Sequence, residues 1–271
     1  MKNEKLKDLL EVAIRAGVEA GYEVCEVYNK DFDVEFKDDK SPLTLADKNA
    51  NKVIESYLDE TGFPVLSEEG RDIPYEERKK WDYFWMVDPL DGTKEFVKRN
   101  GEFTVNIAFI QNGTPLLGVV VAPVLKDLYF ASEQTGAVKV ENISMVEDYN
   151  VNLDELLKSG SKIPVDNGDD IFRVVGSKSH MTKETEDFIK EFEKEHKNIE
   201  IISKGSSLKI CMVAEGYADI YPRFAPTMEW DTAAGHAIVK YAGGKVINRE
   251  TGTSVVYNKE NLLNPWFLVT R

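Results

Sequence analysis

The sequence predicts a layered α/β fold made of two packed halves. Three observations carry that prediction: an amphipathic helical pattern opens the chain, β-rich runs suited to antiparallel pairing fill the first half, and strands alternate with helices through the second. At 271 residues the chain has the length of one large domain or two ordinary ones. With 42% hydrophobic and 30% charged residues it can bury a sizeable core, which excludes wholesale disorder.

Leu6, Leu9, Leu10, Ala13, Ala16 and Gly17 recur at helical spacing and predict the opening helix. Residues 31–40 read as a charged loop. Thr44-Leu45-Ala46-Asp47 reads as a helix start, backed by a buried stripe of Ala46, Ala50, Val53, Ile54, Tyr57 and Leu58 and stopped by Gly62. Residues 63–66 predict a short buried strand running into Ser67-Glu68-Glu69-Gly70. A second strand, 83–87, ends in Asp88-Pro89-Leu90-Asp91-Gly92-Thr93. Runs 103–110 and 116–122 flank Asn112-Gly113, a strong hairpin signal, and 128–131 and 137–140 continue the sheet.

Residues 141–170 are polar with little periodicity and mark the junction, giving halves of 1–150 and 151–271. Beyond it the pattern alternates: strand 171–175, helix 183–197, strand 199–202, helix 206–214, strand 218–221, helix 231–241, strand 245–248 and a last strand near Phe267.

Charge narrows the functional classes. The chain has 34 Lys+Arg against 48 Asp+Glu, a formal charge of −14. That balance argues against grip on a nucleic-acid polymer or an anionic membrane, each of which needs a basic face. The opening MKNEKLKDLL has no apolar core of a secretory signal, and the apolar run 116–125 is about half of a bilayer span. Cys25 and Cys211 give no disulfide framework, which fits a reducing compartment, and both read as buried small hydrophobes. With only three histidines, His180, His196 and His236, a Cys/His zinc site is disfavoured, so a metal here would be a hard cation held by oxygen.

The chemistry-bearing residues are carboxylates placed where elements end. Asp88 and Asp91 follow a buried strand, with Pro89 fixing the turn and Gly92 allowing close approach of the backbone to a ligand. Glu68 and Glu69 close another apolar strand, Asp231 opens a small-residue helix and Asp47 starts an earlier one. Each also has a plain structural reading: a turn for Asp88–Asp91, an exposed acidic pair for Glu68-Glu69, a helix cap for Asp231 and Asp47. Together, with Thr93, they are the parts of a two-metal phosphoryl-transfer site.

The order T-L-A-D, S-E-E, D-P-L-D-G-T and W-D-T-A-A-G resembles that of the lithium-sensitive, magnesium-dependent inositol monophosphatase superfamily. The likeness runs along most of the chain, from the first helix to Asn264-Pro265. The stretch from Lys94 to Asn106, Gly205-Ser206-Ser207-Leu208-Lys209 and Tyr221-Pro222-Arg223-Phe224 are similar to the 3′(2′),5′-bisphosphate nucleotidases of the CysQ type within it.

The resemblance implies a layered αβαβα sugar-phosphatase-like fold, with a mixed, largely antiparallel N-terminal sheet and a smaller α/β C-terminal half. It implies two or three Mg²⁺ held by Glu68, Asp88, Asp91, Asp231 and the carbonyl of Leu90. Asp47 and Thr93 would orient and deprotonate the attacking water. The Asp91-Gly92-Thr93 backbone would seat the scissile phosphate, beside Glu68, Leu90 and Asp231. His180, Ser206, Lys209 and Arg223 would contact the nucleotide. The implied enzyme is a cytoplasmic monomer or homodimer, some relatives associating peripherally with the inner membrane, that converts adenosine 3′,5′-bisphosphate to AMP. The alternative is an inositol- or sugar-phosphate phosphatase. A rival of another class is a cation-stabilised binding domain without catalysis, against which the pairing of Asp47 with Thr93 speaks.

Overall fold

The computed structural model describes residues 3–30, 34–36, 42–166, 168, 170–176, 182–192, 196 and 198–271. The first half runs α1 (Asn3–Tyr28), β1 (Val34–Phe36), β2 (Pro42–Thr44), α2 (Leu45–Asp59), β3 (Val65–Ser67), α3 (Tyr75–Arg78), β4 (Tyr83–Asp91), α4 (Thr93–Val97), β5 (Thr104–Gln111), β6 (Thr114–Ala122), β7 (Asp127–Ser132) and β8 (Gly136–Val140). The chain continues with α5 (Leu153–Ser159), β9 (Ser161–Lys162), β10 (Phe172–Val175), α6 (Lys183–Phe192), β11 (Ile199–Ile202), α7 (Leu208–Ala214), β12 (Ile220–Arg223), α8 (Trp230–Tyr241), β13 (Lys245–Asn248) and β14 (Phe267–Thr270).

Strict alternation gives the larger sheet two apolar faces. Trp85, Val87, Val105, Ile107, Phe109, Val119 and Val121 join the core beneath α1 and α2. Their neighbours Phe84, Met86, Ala108, Ile110 and Val120 join a second core shared with α7, α8 and the inner face of the smaller sheet. A third cluster, with Val174, Phe188, Ile189 and Ile220, seats α6 on the smaller sheet's outer face. The layers are therefore α1/α2, seven strands, α7/α8, five strands and α6, the αβαβα order the resemblance implies. Each large side chain removed from water in these layers contributes about 1.5–3 kcal/mol.

The seven-stranded sheet has the order β3-β4-β5-β6-β7-β8-β9. Only β3–β4 is parallel; the remaining pairs are antiparallel. The five-stranded sheet, β11-β10-β12-β14-β13, is parallel across its first three strands and antiparallel across its last three. α8 lies directly on β6 at Gly118, where a Cβ would stand 2.3 Å from the Ala234 carbonyl oxygen. Among the described residues no helix is long and apolar enough to cross a membrane.

Several elements depart from the sequence reading. β1, inside the stretch 31–40 expected to be only a charged loop, pairs antiparallel with β2; three residues are too few for a period to show. Within the polar stretch 141–170, α5 forms with Asn152 as its cap, the side-chain oxygen accepting the Glu155 N–H at 3.2 Å, and β9 extends the sheet. The strand expected to end at Val87 continues to Asp91. The expected helix 183–197 is α6 to Phe192, and residues 193–195 and 197 lie outside the described residues. Cys211 is buried as expected, but Cys25 is half-buried.

His236, in the middle of α8, is 4% exposed, with Nδ1 2.9 Å from the Tyr257 hydroxyl. Burial, with a smaller contribution from Lys240, pushes its pKa down to about 3. The unfolded chain then binds a proton that the folded chain refuses, so stability falls as pH drops from about 6.5 toward 3. At pH 5 the cost is about 2 kcal/mol. Urea unfolding at pH 7.5 and pH 5 checks this: His236→Gln is expected to lose about that much of the acid sensitivity, and an unchanged difference between the two pH values would refute it.

Candidate active site

β4 carries the first carboxylates because of an irregularity in its pairing. Asp88 faces Asn106 of β5 and Asp91 faces Thr104, so β4 advances three residues while β5 advances two. In a regular strand residues three apart point to opposite faces. The extra residue, at a place where Pro89 could not donate to the ladder, restores Asp91 to the inner face with Asp88. Leu90, buried, turns into the core beneath α1 and α2. Its N–H donates to Asp88 Oδ1 at 3.1 Å.

The neighbouring strand and helices bring the rest. Glu68 follows β3, and its N–H donates to the Val87 carbonyl at 3.1 Å, which fixes it beside the end of β4. Asp231 stands in the first turn of α8, where Oδ2 accepts the Met228 N–H at 2.9 Å. Glu68, Asp88 and Asp231 each offer a carboxylate oxygen, and these oxygens lie within 4.8 Å of one another. Asp47 is buried in the first turn of α2. Gly92, at φ +93°, leads into α4, whose first residue is Thr93.

Asp91 is held differently. Its Oδ2 accepts the Ser207 N–H at 2.6 Å and lies 3.4 Å from Asn106 Nδ2. The Ser207 hydroxyl sits 2.8 Å from the same oxygen and 2.7 Å from the Asp231 carbonyl, so it donates to one of them, while it accepts from Asn106 Nδ2 at 2.9 Å. Ser207 and Asn106 thereby join β4, β5, α7 and α8 at one point. Sequence reasoning gave neither a role, although both lie in the stretches that carry the closer resemblance; a serine beside Ser206 has no signal of its own until the fold sets it against Asp91.

The electrostatics favour a cation. Burial, reinforced by the negative charges of Glu68, Asp91, Asp231 and Asp47, pushes the Asp88 carboxyl well above its ordinary range. Burial and the charge of Asp91 do the same to Asp231. Carboxylates that are desolvated and repel one another gain most from a cation placed among them. The donor set is oxygen only, which suits a hard divalent ion rather than zinc or copper. The residues present therefore fit a metal of the Mg²⁺ class.

The expected nucleotide contacts converge on the same place, as far as the described residues go. A cleft of about 280 Å³ brings Asp91, Gly92 and Asp231 together with Ser206, Lys209 and Arg223. Lys209 is half-buried, its ammonium donating to the Lys204 carbonyl at 3.3 Å, and burial lowers its pKa. Arg223 donates from Nη2 to the Pro226 carbonyl at 3.1 Å, and its buried Nε has no hydrogen-bond partner among the described residues. His180 lies outside the described residues.

A model of the inositol monophosphatase family matches residues 5–266. The 3′(2′),5′-bisphosphate nucleotidase CysQ of Salmonella typhimurium is 43% identical over 267 residues, 97% of this chain and 99% of that protein. The protein of the same name from Escherichia coli K12 is 44% identical over 257 residues, 93% of this chain and 95% of its own. Among solved structures, CysQ from Bacteroides thetaiotaomicron, described as a bacterial member of the inositol monophosphatase family, has a TM-score of 0.90 at 52% identity over 97% of both chains. The Thermotoga maritima IMPase has a TM-score of 0.69 at 26% identity, over 97% of this chain and 92% of that one.

Proposed function

The chain belongs to the inositol monophosphatase family, and on that premise we propose that it is a phosphoric monoester hydrolase, a Mg²⁺-dependent 3′(2′),5′-bisphosphate nucleotidase that converts adenosine 3′,5′-bisphosphate to AMP and phosphate. The observation that carries this reading is the single cleft in which Asp91 and Asp231 meet Lys209 and Arg223. Carboxylates suit the cations that accompany the phosphate to be cleaved. A half-buried lysine and an arginine whose Nε has no partner among the described residues suit the phosphate that is kept, one as a point charge and the other as a fork.

In this reading residues 1–150 supply Asp47, Glu68, Asp88, Leu90, Asp91 and Thr93, and residues 151–271 supply Asp231 and the nucleotide contacts. Glu68, Asp88, Asp91, Asp231 and the Leu90 carbonyl hold two or three Mg²⁺. The chemistry such ions supply is neutralisation of phosphate charge and a lowered pKa for water. Asp47 and Thr93 orient a water and take its proton. The water oxygen bonds to phosphorus as the bond from phosphorus to the ribose 3′ oxygen breaks; that oxygen takes a proton from solvent and leaves as a hydroxyl, and the proton taken from the attacking water returns to solvent. The Asp91-Gly92-Thr93 backbone holds the phosphate during the exchange, while Ser206, Lys209, Arg223 and His180 fix the nucleotide. We place the enzyme in the cytoplasm, as a monomer or homodimer.

The test is phosphate release from adenosine 3′,5′-bisphosphate, inositol 1-phosphate and fructose 1,6-bisphosphate, side by side with Mg²⁺ and then with added Li⁺. The expected result is a strong preference for the nucleotide that falls away with Li⁺. Preference for inositol 1-phosphate or the sugar bisphosphate would overturn the substrate while keeping the metal site.

A further inference from the structure

Glu102 lies between α4 and β5, and its carboxylate reaches across to the loop that precedes α7. Oε2 accepts the Gly205 N–H at 2.9 Å, and Oε1 pairs with the Lys204 ammonium at 3.4 Å. The backbones close on the same spot: a Cβ on Gly205 would lie 2.3 Å from the Glu102 carbonyl oxygen, so only glycine fits there. Glu102 is itself anchored, its N–H donating to Asn100 Oδ1 at 2.9 Å.

The held loop in turn holds the nucleotide contacts. The Lys204 carbonyl, adjacent to Gly205, is the acceptor for the Lys209 ammonium at 3.3 Å. Ser206 follows with φ +46°, a conformation that a non-glycine residue keeps only when its surroundings enforce it. The Thr104 hydroxyl donates to the Ser206 hydroxyl at 3.3 Å. A lysine on a four-carbon stem has many rotamers, so an ammonium already docked on a fixed carbonyl loses less freedom when an anion arrives.

We infer that Glu102 is a positioning residue for recognition of the second phosphate, because its bond to the Gly205 N–H fixes the loop whose Lys204 carbonyl seats the Lys209 ammonium. The identity of the ligand rests on the nucleotidase reading above; the latch itself does not. Glu102 touches no reacting atom in this scheme and acts through Lys209 and Ser206.

Two variants and two readouts test it. Glu102→Ala removes the acceptor, whereas Glu102→Gln keeps a carbonyl oxygen for the Gly205 N–H and loses two weaker contributions, the partly exposed pairing with Lys204 and a small attraction of its charge for the Lys209 ammonium. In the substrate-free protein, amide hydrogen exchange in the peptide spanning 203–210 is expected to rise about tenfold or more in Glu102→Ala. In turnover, the same variant is expected to raise KM for adenosine 3′,5′-bisphosphate by about 10- to 100-fold, as loss of a hydrogen bond to a charged group predicts. kcat and the KM for a nucleoside 3′-monophosphate should change far less. Glu102→Gln is expected to recover most of both effects. Unchanged exchange in Glu102→Ala, equal losses on the two substrates, or a Gln variant as impaired as the Ala variant would each overturn the inference. A wild-type enzyme indifferent to the second phosphate would instead overturn the nucleotidase reading and with it the ligand named here, while the exchange measurement would still decide the latch. The two failures are thus distinct.

Discussion

Asp231→Asn is expected to lower turnover by about three orders of magnitude or more, since in the proposed scheme Asp231 helps hold the catalytic cations, and such a residue contributes several kcal/mol to the transition state. The fold should survive. Asparagine has the same shape, can still accept the Met228 N–H, and leaves the Ser207 contact with the Asp231 carbonyl untouched. Stability without metal should be equal or higher than that of the wild type. Burial and Asp91 raise the Asp231 pKa, so at neutral pH its charge works against the folded state, and removing that charge relieves the strain. Wild-type protein is expected to gain about 2.7 kcal/mol when Mg²⁺ is raised to 100 times its dissociation constant. That gain should shrink as pH falls and the cluster takes up protons, and it should largely disappear in the variant. Thermal melts with EDTA and with Mg²⁺, alongside phosphate release, read all three quantities. Full activity in the folded Asp231→Asn protein would refute the metal assignment.

Substitution of Lys209 or Arg223 is expected to separate substrates rather than abolish chemistry. Arg223→Ala and Lys209→Met should each cost about 10- to 100-fold in kcat/KM for adenosine 3′,5′-bisphosphate, the range for a lost charge-assisted bond to phosphate. A monophosphate that lacks the second anion should lose much less. Lys209→Met carries its own control. Burial lowers the Lys209 pKa, so its charge costs the folded state stability at neutral pH, and an apolar side chain of similar length should leave the protein as stable or more so. An activity loss without a drop in melting temperature then belongs to recognition. Equal losses on both substrates would favour an inositol- or sugar-phosphate phosphatase.

Much of the fold was legible along the chain because its signals are local. The Asn112-Gly113 turn lies between the strands it was expected to join, and β4, β5 and β6 show the period-two alternation that divides their side chains between two cores. The elements that escaped are short. β1, β2, β9 and α3 have two to four residues each, and their places are set by what they lie against, not by their composition. α5 was hidden by its polar surroundings, though Asn152 caps it in the usual way.

The residue types of the site can be read along the chain: carboxylates at the ends of apolar segments, a glycine and a threonine beside them, and a lysine and an arginine in a chain of net charge −14. How they face one another follows from packing. Asp88 and Asp91 share a side of the sheet because β4 carries one more residue than β5 between their pairing partners, and such a mismatch is a relation between two strands that neither strand's own pattern expresses. Asp231 comes near Glu68 and Asp88 because α8 packs on β6 at Gly118, a contact between segments far apart along the chain. Ser207, Asn106 and Glu102 had ordinary surface chemistry as letters. Their importance comes from hydrogen bonds that exist once α7 is laid against the first half, since a short-range polar bond has meaning only after packing has brought donor and acceptor within reach.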